Sequence, residues 1–353
     1  INEEQRYVDV EGMTTYDDLV KETLKYNYLP TVVPELKSIT VGGALAGIGI
    51  ESSSFRYGLT HETMSEYDVL LANGQVVTCD PTNTYGDLYR AFPNSYGTLG
   101  YALKVRLQII PAKKYVKLSY HHFTSSSDFF HELQALCNQH NASGHIAFID
   151  GVVFHEKHLV IITGEFTDSA PYLSNYKYMN IYYCSIKNKK EDYLTTSDYI
   201  WRWDPDWFWC SKVFHMQNPW LRFLLGKWML KSTSYTKIMR QVKTNPFLTW
   251  CCKHFEKPQE SVIQDVAIPI EKAPEYLDFF HKHIGIKPVW ICPTRSPGTA
   301  DVFQLFPMKN NQLYINFGFW DMIESTHEAG YYNRLIEKEV IKLGGNKSLY
   351  SNA

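Results

Sequence analysis

The sequence predicts an α+β protein in which helices pack on antiparallel sheets, arranged as two domains. A chain of 353 residues is long for a single domain. Residues 67–78 are typical of a β-hairpin, and the second half contains two units that combine a helix with antiparallel strands. The pattern of predicted helices and strands changes after Pro111. We therefore expect a first domain over residues 1–111 and a second over residues 112–353.

Composition excludes several classes of partner and site. Lys and Arg number 35 against 37 Asp and Glu, so there is no excess of positive charge to neutralise nucleic-acid phosphates. Aromatics at 15% and charged residues at 20% indicate a globular chain. Seven cysteines without a CxxC pair favour a reducing intracellular compartment and no zinc site, with pairing of some of them left open. No apolar run reaches the ~18 residues that a membrane-spanning helix needs.

The elements of the first domain follow from periodicity and turn signals. Thr14 or Thr15 is placed to cap a helix, and Asn73-Gly74 predicts a type I′ turn in the hairpin. The elements expected here are, in order, a strand over 6–10, a helix to about Tyr26, the hairpin over 67–78, a helix over 87–92 and a strand over 102–110 that ends at Pro111.

The second domain is expected to form an antiparallel sheet with helices on it. Its elements are, in order, a helix over 128–140, strands over 146–154, 159–166 and 263–270, a helix over 273–284, strands over 288–292 and 312–319, and a helix over 328–343.

A glycine-rich segment, Thr40–Ser54, is the most unusual part of the first domain. It contains Gly42, Gly43, Gly47 and Gly49, followed by Glu51 and three serines. The spacing is neither GxGxxG nor GxxxxGK[ST]. Two interpretations remain open: a tight turn where a helix packs on a sheet, and a run of bare N–H groups that binds an anion.

An aromatic insert at about 199–232 interrupts the second domain. It contains WRWDPDWFWC and then an apolar stretch within residues 219–230, in which Arg222 and Lys227 are the basic residues. The insert is interpreted as a buried aromatic cluster, as the wall of an apolar ligand pocket, or as a peripheral membrane contact with its basic residues reaching the headgroups.

Metal and serine-hydrolase chemistry are disfavoured. The His155–His158 sequence HEKH falls in a turn and lacks HExxH spacing, and His121-His122 has no partner motif. No GxSxG motif occurs.

Several motifs together carry a family resemblance. They are VPEL at 33–36, TVGG at 40–43, GIESSS at 49–54, GTLG at 97–100, IIPAKKYVKL at 109–118, and the later NPWLRFLLGKWM and PVWICP. This order resembles the vanillyl-alcohol-oxidase-type FAD-binding family, and within it the delta-24 sterol reductase branch. The resemblance implies that the family's first FAD half-domain would lie upstream of Ile1, and that the branch continues beyond Ala353.

The resemblance implies a PCMH-type FAD-binding domain, of which 1–111 is the C-terminal part, and a substrate cap over 112–353. It implies cofactor contacts at Thr40, Val41, Gly42, Gly43, Ala44, Leu45, Ala46, Gly47, Ile48, Gly49, Ile50, Glu51, Ser52, Gly97, Gly100 and Ile109. Glu51 is the first candidate for a polar catalytic group near the flavin, followed by His254 and Tyr314, although a structural hydrogen bond from Glu51 to the loop backbone is the favoured interpretation of that residue.

The implied reaction is NADPH-driven, FAD-dependent reduction of a side-chain double bond in a sterol-like lipid, at the periphery of a membrane of the endoplasmic-reticulum or bacterial inner-membrane type. The alternatives are a flavin-dependent alcohol or sugar-acid oxidase of the same fold, and a lipid-binding relative without catalysis.

Overall fold

The computed structural model describes residues 1–143, 145–210, 212, 216–230, 234, 237, 258–297 and 302–349. Its strands are β1 Tyr7–Glu11, β2 Tyr28–Pro30, β3 Met64–Leu70, β4 Val76–Cys79, β5 Tyr101–Pro111, β6 Tyr115–Phe123, β7 Phe148–His155, β8 His158–Thr167, β9 Glu191–Thr195, β10 Gln259–Pro269, β11 Val289–Arg295, β12 Leu313–Glu324 and β13 Asn346–Lys347. Its α-helices are α1 Tyr16–Leu24, α2 Val41–Gly47, α3 Ser54–Tyr57, α4 Gly86–Ala91, α5 Ser126–Ser143, α6 Tyr182–Ile186, α7 Thr196–Ile200, α8 Pro219–Met229, α9 Ala273–His283 and α10 Tyr331–Lys342.

The first sheet contains β1 to β5. Its order is β1-β5-β3-β4, and β2 pairs with the far end of β5. Helix α1 begins where the Thr15 side chain accepts a hydrogen bond from the Asp18 amide, and its buried stripe includes Tyr16, Leu19 and Val20. The helix therefore packs its apolar stripe into the core of this sheet.

The hairpin between β3 and β4 forms, but its turn differs from the predicted type I′. Gly74 has φ +85°, whereas Asn73 is not among the residues with positive φ. The Gly74 amide donates to the Leu71 carbonyl and the Leu71 amide donates to the Gln75 carbonyl. This is a three-residue loop with a left-handed glycine at its end, the alternative that an Asn-Gly pair also permits.

The second sheet has eight strands in the order β13-β10-β12-β11-β7-β8-β6-β9. One face packs against α5, α9 and α10 through side chains such as Phe129, Tyr276 and Ile336. Strand β6 was not predicted, although its buried residues Val116 and Leu118 alternate with polar ones. The chain passes from the first sheet to the second between Pro111 and Tyr115.

The aromatic insert divides into a buried part and an exposed helix. Trp203 and Trp209 are fully buried, and Phe208 stacks on Trp203 at 4.6 Å between ring centroids. These rings pack on Trp290 and Trp320 of the second sheet. Residues 201–209 therefore form core, whereas α8 exposes part of its apolar surface.

Arg222 of α8 is not a surface residue. It is 1% exposed, and its Nη1 lies 2.6 Å from the Asp206 carboxylate. The expectation that Arg222 reaches lipid headgroups is therefore wrong, because the side chain is committed to a buried ion pair. Among the described residues, no helix combines the length and the apolar character that crossing a membrane requires.

Candidate functional site

The glycine-rich segment begins as a helix rather than a loop. Thr40 caps α2 by accepting a hydrogen bond from the Gly43 amide. The amides of Val41 and Gly42 donate to the carbonyls of Thr14 and Gly12. A Cβ on Gly42 would lie 2.9 Å from the Gly12 oxygen, so this glycine permits close backbone packing. The first amides of the segment are therefore used within the protein, which corrects the expectation that they form an open anion-binding loop.

Residues 48–50 offer the unused backbone of the segment. Ile48 has φ +68°, a conformation that a β-branched residue rarely adopts. Within the described part of the chain, no hydrogen-bond partner is found for the Gly49 and Ile50 amides. The Gly49 carbonyl accepts from the Thr60 amide, which fixes the backbone here.

Tyr96 and Gly97 lie beside the end of α2. The Tyr96 amide donates to the Ala46 carbonyl, and its hydroxyl lies 3.2 Å from the Gly47 carbonyl oxygen. A Cβ on Gly47 would approach nothing closer than the Tyr96 ring at 3.8 Å, and one on Gly97 would meet nothing within 4 Å. The surfaces of Gly47 and Gly97 are therefore open.

Other predicted cofactor residues lie in the core or serve packing. Ile109 of β5 and the α2 residues Val41 and Leu45 are fully buried in the same core, so their side chains offer no surface to a ligand. Gly100 has φ +144°, and a Cβ there would lie 2.5 Å from the Leu70 carbonyl oxygen. Its glycine is explained by close strand packing.

The second sheet faces residues 48–50 with strands β10 and β12. Tyr314 is buried in a small cluster with Leu59, against which Ile48 and Ile50 pack. Its hydroxyl donates to the Gln312 side chain at 3.2 Å. Tyr314 therefore does lie near the glycine-rich segment, as part of a packed apolar cluster.

Asp265 and Asn316 lie on the same face of these strands, and the sequence reasoning missed both. Asn316 Nδ2 donates to Asp265 Oδ1 at 2.6 Å. Asn316 is buried and Asp265 is half-buried. Burial raises the pKa of Tyr96 to about 12, and the charge of Asp265 acts in the same direction, which puts Asp265 within electrostatic reach of Tyr96. Polar residues at alternate positions of apolar strands were the signal that could have identified this pair.

Glu51 points away from this face into the protein interior. Its Oε1 lies 2.9 Å from Arg202 Nη1 and accepts a hydrogen bond from the Ser52 hydroxyl at 2.7 Å. The same guanidinium lies 2.7 Å from Asp150 and 3.6 Å from Glu35. The structural interpretation of Glu51 therefore accounts for its contacts, and a position beside the reacting atoms does not.

This ion cluster holds more carboxyl groups than cations. Burial, and then the neighbouring Glu51 carboxylate, raise the pKa of Glu35 well above its usual range. Burial also raises the pKa of Asp150, with Arg202 partly opposing it. No sequence motif joins Glu35, Asp150 and Arg202, so only the fold reveals that they meet Glu51.

His254, the remaining catalytic candidate, lies outside the described residues. The described part of the chain contains no group of three or more His, Cys, Asp or Glu side chains arranged to hold a metal ion.

The residues present fit a flavin nucleotide. The unused amides of Gly49 and Ile50 are suited to donating hydrogen bonds to phosphate oxygens, and the open surfaces of Gly47 and Gly97 leave room for a bulky group beside them. The partly exposed Ile48 and Ile50 side chains, which pack on the Tyr314 cluster, provide apolar surface of the kind that a flat aromatic ring system contacts.

The comparisons with known proteins identify the family. Residues 1–80 match the family described as FAD binding domain. The delta(24)-sterol reductase of Homo sapiens is 30% identical over 373 aligned residues, which cover 100% of this chain and 68% of the human protein. The chain belongs to the delta(24)-sterol reductase family. A delta(24)-sterol reductase homolog of Caenorhabditis elegans is 27% identical over 98% of this chain and 69% of that protein. Cytokinin dehydrogenase 9 of Oryza sativa subsp. japonica is 31% identical over 35% of this chain and 24% of that protein.

Membership of the delta(24)-sterol reductase family confirms the resemblance and the α+β fold class. It makes the chain an FAD-dependent oxidoreductase. The match to the FAD-binding family includes α2 and residues 48–50. The backbone amides described above as unused therefore lie within the part of the chain that matches this family.

Proposed function

We propose that the protein reduces an isolated side-chain double bond of a sterol or similar apolar lipid, with bound FAD as the redox group and NADPH as the reductant. The observation that carries this proposal is the packing of Ile48 and Ile50 against the apolar Tyr314 cluster of the same strands that carry the half-buried Asp265 and the buried Asn316. Such a site combines apolar surface for a lipid with a small number of polar groups, as ligand sites do.

We further propose that one part of the chain binds the cofactor and the other presents the substrate. Residues 1–111 would belong to the FAD-binding domain, with Gly47, Gly49, Ile50 and Gly97 nearest the cofactor. Residues 112–353 would form the cap, whose β10 and β12 present the substrate. This division is supported by the change of sheet after Pro111 and by the position of Tyr314 against Ile48 and Ile50.

The protein's own residues have three tasks in this reaction. Bound flavin, once reduced by NADPH, would supply the hydride for the double bond. The backbone of 48–50 orients the cofactor, and the Ile48, Ile50 and Tyr314 side chains exclude water from an apolar substrate. Asp265 is the carboxyl group that we propose delivers the proton, held in position by Asn316 and able to exchange protons with solvent because it is only half-buried.

The test supplies purified protein with FAD, NADPH and a sterol that carries a side-chain double bond. We expect saturated sterol and oxidised NADP in equal amounts, measured by mass spectrometry and absorbance. Reduction of the flavin by an alcohol or a sugar acid without NADPH would favour the oxidase alternative. Sterol binding without flavin retention or turnover would favour a lipid-binding relative.

We also propose that α8 contacts a membrane surface peripherally, in an intracellular reducing compartment. Trp220, Phe223 and Leu224 are 76%, 65% and 74% exposed. Their spacing places them on one face of the helix. An apolar helical face beside the cap would let a lipid substrate reach the protein from a bilayer of the endoplasmic-reticulum or bacterial inner-membrane type.

A further inference from the structure

The buried cluster around Arg202 joins three separate segments of the chain. Glu35 lies between β2 and α2, Glu51 follows residues 48–50, and Asp150 belongs to β7. Arg202 follows α7, and its guanidinium contacts all three carboxyl groups. Each of the four residues is at most 5% exposed. The cluster therefore connects the glycine-rich segment to the second sheet through charged groups that water does not reach.

The backbone next to Glu51 is fixed to the same sheet. The Ile149 amide donates to the Ser52 carbonyl at 2.7 Å, and the Cys292 thiol donates to the Glu51 carbonyl at 3.2 Å. Residues 48–50 immediately precede these contacts. A displacement of Glu51 would consequently move the backbone whose amides face the proposed cofactor.

The charges of the cluster do not balance when every carboxyl group is ionised. Three carboxylates against one guanidinium leave a net charge of −2 in a buried site, which is strongly unfavourable. The titratable and charged groups that face Glu35 and its partners are Glu51, Asp150, Arg202, Tyr182, Tyr199 and Cys292. Arg202 is the sole cation among them, so the site is relieved when one carboxyl group keeps its proton.

Glu35 is the group best placed to keep that proton. Its carboxylate lies 3.6 Å from Arg202, whereas Glu51 and Asp150 lie 2.9 Å and 2.7 Å from it. One Glu35 oxygen and one Glu51 oxygen are buried without a hydrogen-bond partner. A proton on Glu35 would supply a further donor beside these two oxygens, which the Arg202 guanidinium leaves without a hydrogen bond.

We propose that Arg202 and protonated Glu35 are positioning residues for the flavin site: together they hold Glu51, and loss of the Glu35 proton displaces the 48–50 backbone and weakens flavin binding. This inference rests on the proposed placement of FAD at residues 47–50. Deprotonation of Glu35 adds an unpaired negative charge beside Glu51 and Asp150, which repel it.

The first experiment measures FAD affinity by flavin fluorescence from pH 5 up to the highest pH at which the wild-type protein stays folded. We expect the Kd of the wild-type protein to rise at least tenfold across this range. Glu35→Gln, which mimics the protonated acid, should bind FAD with a nearly constant Kd. Glu260→Gln is the matched control, because Glu260 is a buried carboxyl group bonded to Asn333 on the helix-covered face. If the Kd of Glu35→Gln for FAD rose with pH as steeply as that of the wild-type protein, the proposal would be overturned.

The second experiment needs no flavin and separates this inference from the proposed function. Because the folded-state pKa of Glu35 is raised, the folded protein binds more protons than the unfolded chain above pH 4.5. Wild-type stability should therefore fall relative to Glu35→Gln as the pH rises, in urea unfolding of the apoprotein. If this difference appears but FAD never binds, the placement of the flavin is wrong and the proton-holding cluster stands. If no difference appears, the cluster does not hold the proton.

Arg202→Met and Arg222→Met form a second matched pair. Both arginines are buried in ion pairs, but Arg222 pairs with Asp206 in the aromatic insert. We expect Arg202→Met to weaken FAD binding and to change its pH profile, whereas Arg222→Met should lower stability and leave that profile unchanged. Equal effects of both variants on the profile would mean that Arg202 has only a structural role.

Discussion

Asp265 and Gly318 are direct partners across the β10–β12 ladder, and the absence of a side chain at Gly318 makes room for the Asp265 carboxylate and the Trp320 ring on this face. A Cβ at Gly318 would lie 2.8 Å from Asp265 Oδ1 and 2.7 Å from the Trp320 ring. The glycine thus separates a carboxylate from a large aromatic side chain on the proposed substrate face.

Gly318→Ala should therefore impair the reaction without emptying the flavin site. The added methyl group must push Asp265 or the Trp320 ring aside, and overpacking of this kind costs about 1–3 kcal/mol. We expect sterol reduction to fall at least tenfold while FAD retention stays at the wild-type level. Asp265→Asn should lose turnover similarly, since it keeps the shape and removes the acid. Full turnover in Asp265→Asn would eliminate Asp265 as the proton source.

Gly47 gives a cleaner test of the flavin site than Gly43. A Cβ at Gly43 would lie 2.8 Å from the Thr40 hydroxyl that caps α2, so a substitution there damages the helix itself. At Gly47 the protein leaves room, with the Tyr96 ring 3.8 Å away. We expect Gly47→Val to fold and to lose FAD, as judged by absorbance after gel filtration.

The control for Gly47→Val is Ala91→Val, at the last residue of another short helix, α4. This substitution also places a β-branched residue in a helix, which lowers helix stability, but at a position outside the glycine-rich segment. Retention of stoichiometric FAD by Gly47→Val would remove the assignment of this surface to the cofactor.

The sequence was informative where a local rule decides the structure. The Thr15 cap of α1 and the short apolar runs of β7 and β8, which are buried on both faces, follow from side-chain chemistry within a few residues. The helix at 41–47 was missed because four glycines suggest a loop, whereas the Thr40 cap and the Gly12 contact favour a helix. The Arg202 cluster could not be predicted, because its members are up to 167 residues apart and only the tertiary fold brings them together.

The exposed face of α8 predicts binding to lipid bilayers. Each of the side chains Trp220, Phe223 and Leu224 contributes at most about 1.5–3 kcal/mol when it is buried in an interface. We expect the triple substitution to Ser to reduce sedimentation with liposomes by at least tenfold. Because Arg222 is committed to Asp206, binding should depend less on salt than a basic helix would.

The matched control for α8 replaces Met13 and Ile341 by Ser, two side chains that are 80% and 76% exposed on other elements. This variant should sediment like the wild-type protein. Equal sedimentation of the triple variant and the wild type would contradict the membrane contact. Unfolding of the triple variant, seen by circular dichroism, would show instead that this face is covered by the protein itself.

His61 predicts an acid-sensitive step in stability. It is fully buried between the glycine-rich segment and β3, with its ring against Phe303 at 4.4 Å between centroids. Burial lowers the pKa of His61 to about 3, so the folded protein keeps the imidazole neutral while the unfolded chain protonates it near pH 6.5. Between these two pH values the unfolded state binds more protons, and the free energy of unfolding must fall as the pH is lowered.

The full shift in the pKa of His61 corresponds to a loss of up to about 5 kcal/mol in the free energy of unfolding. We expect urea unfolding of wild-type protein to show about 3 kcal/mol of this loss between pH 6.5 and pH 4, and His61→Phe to show a smaller loss. A control substitution at the exposed His327, which has no such burial, should leave the profile unchanged. Identical pH profiles for His61→Phe and the wild type would mean that the imidazole is solvated in the folded protein.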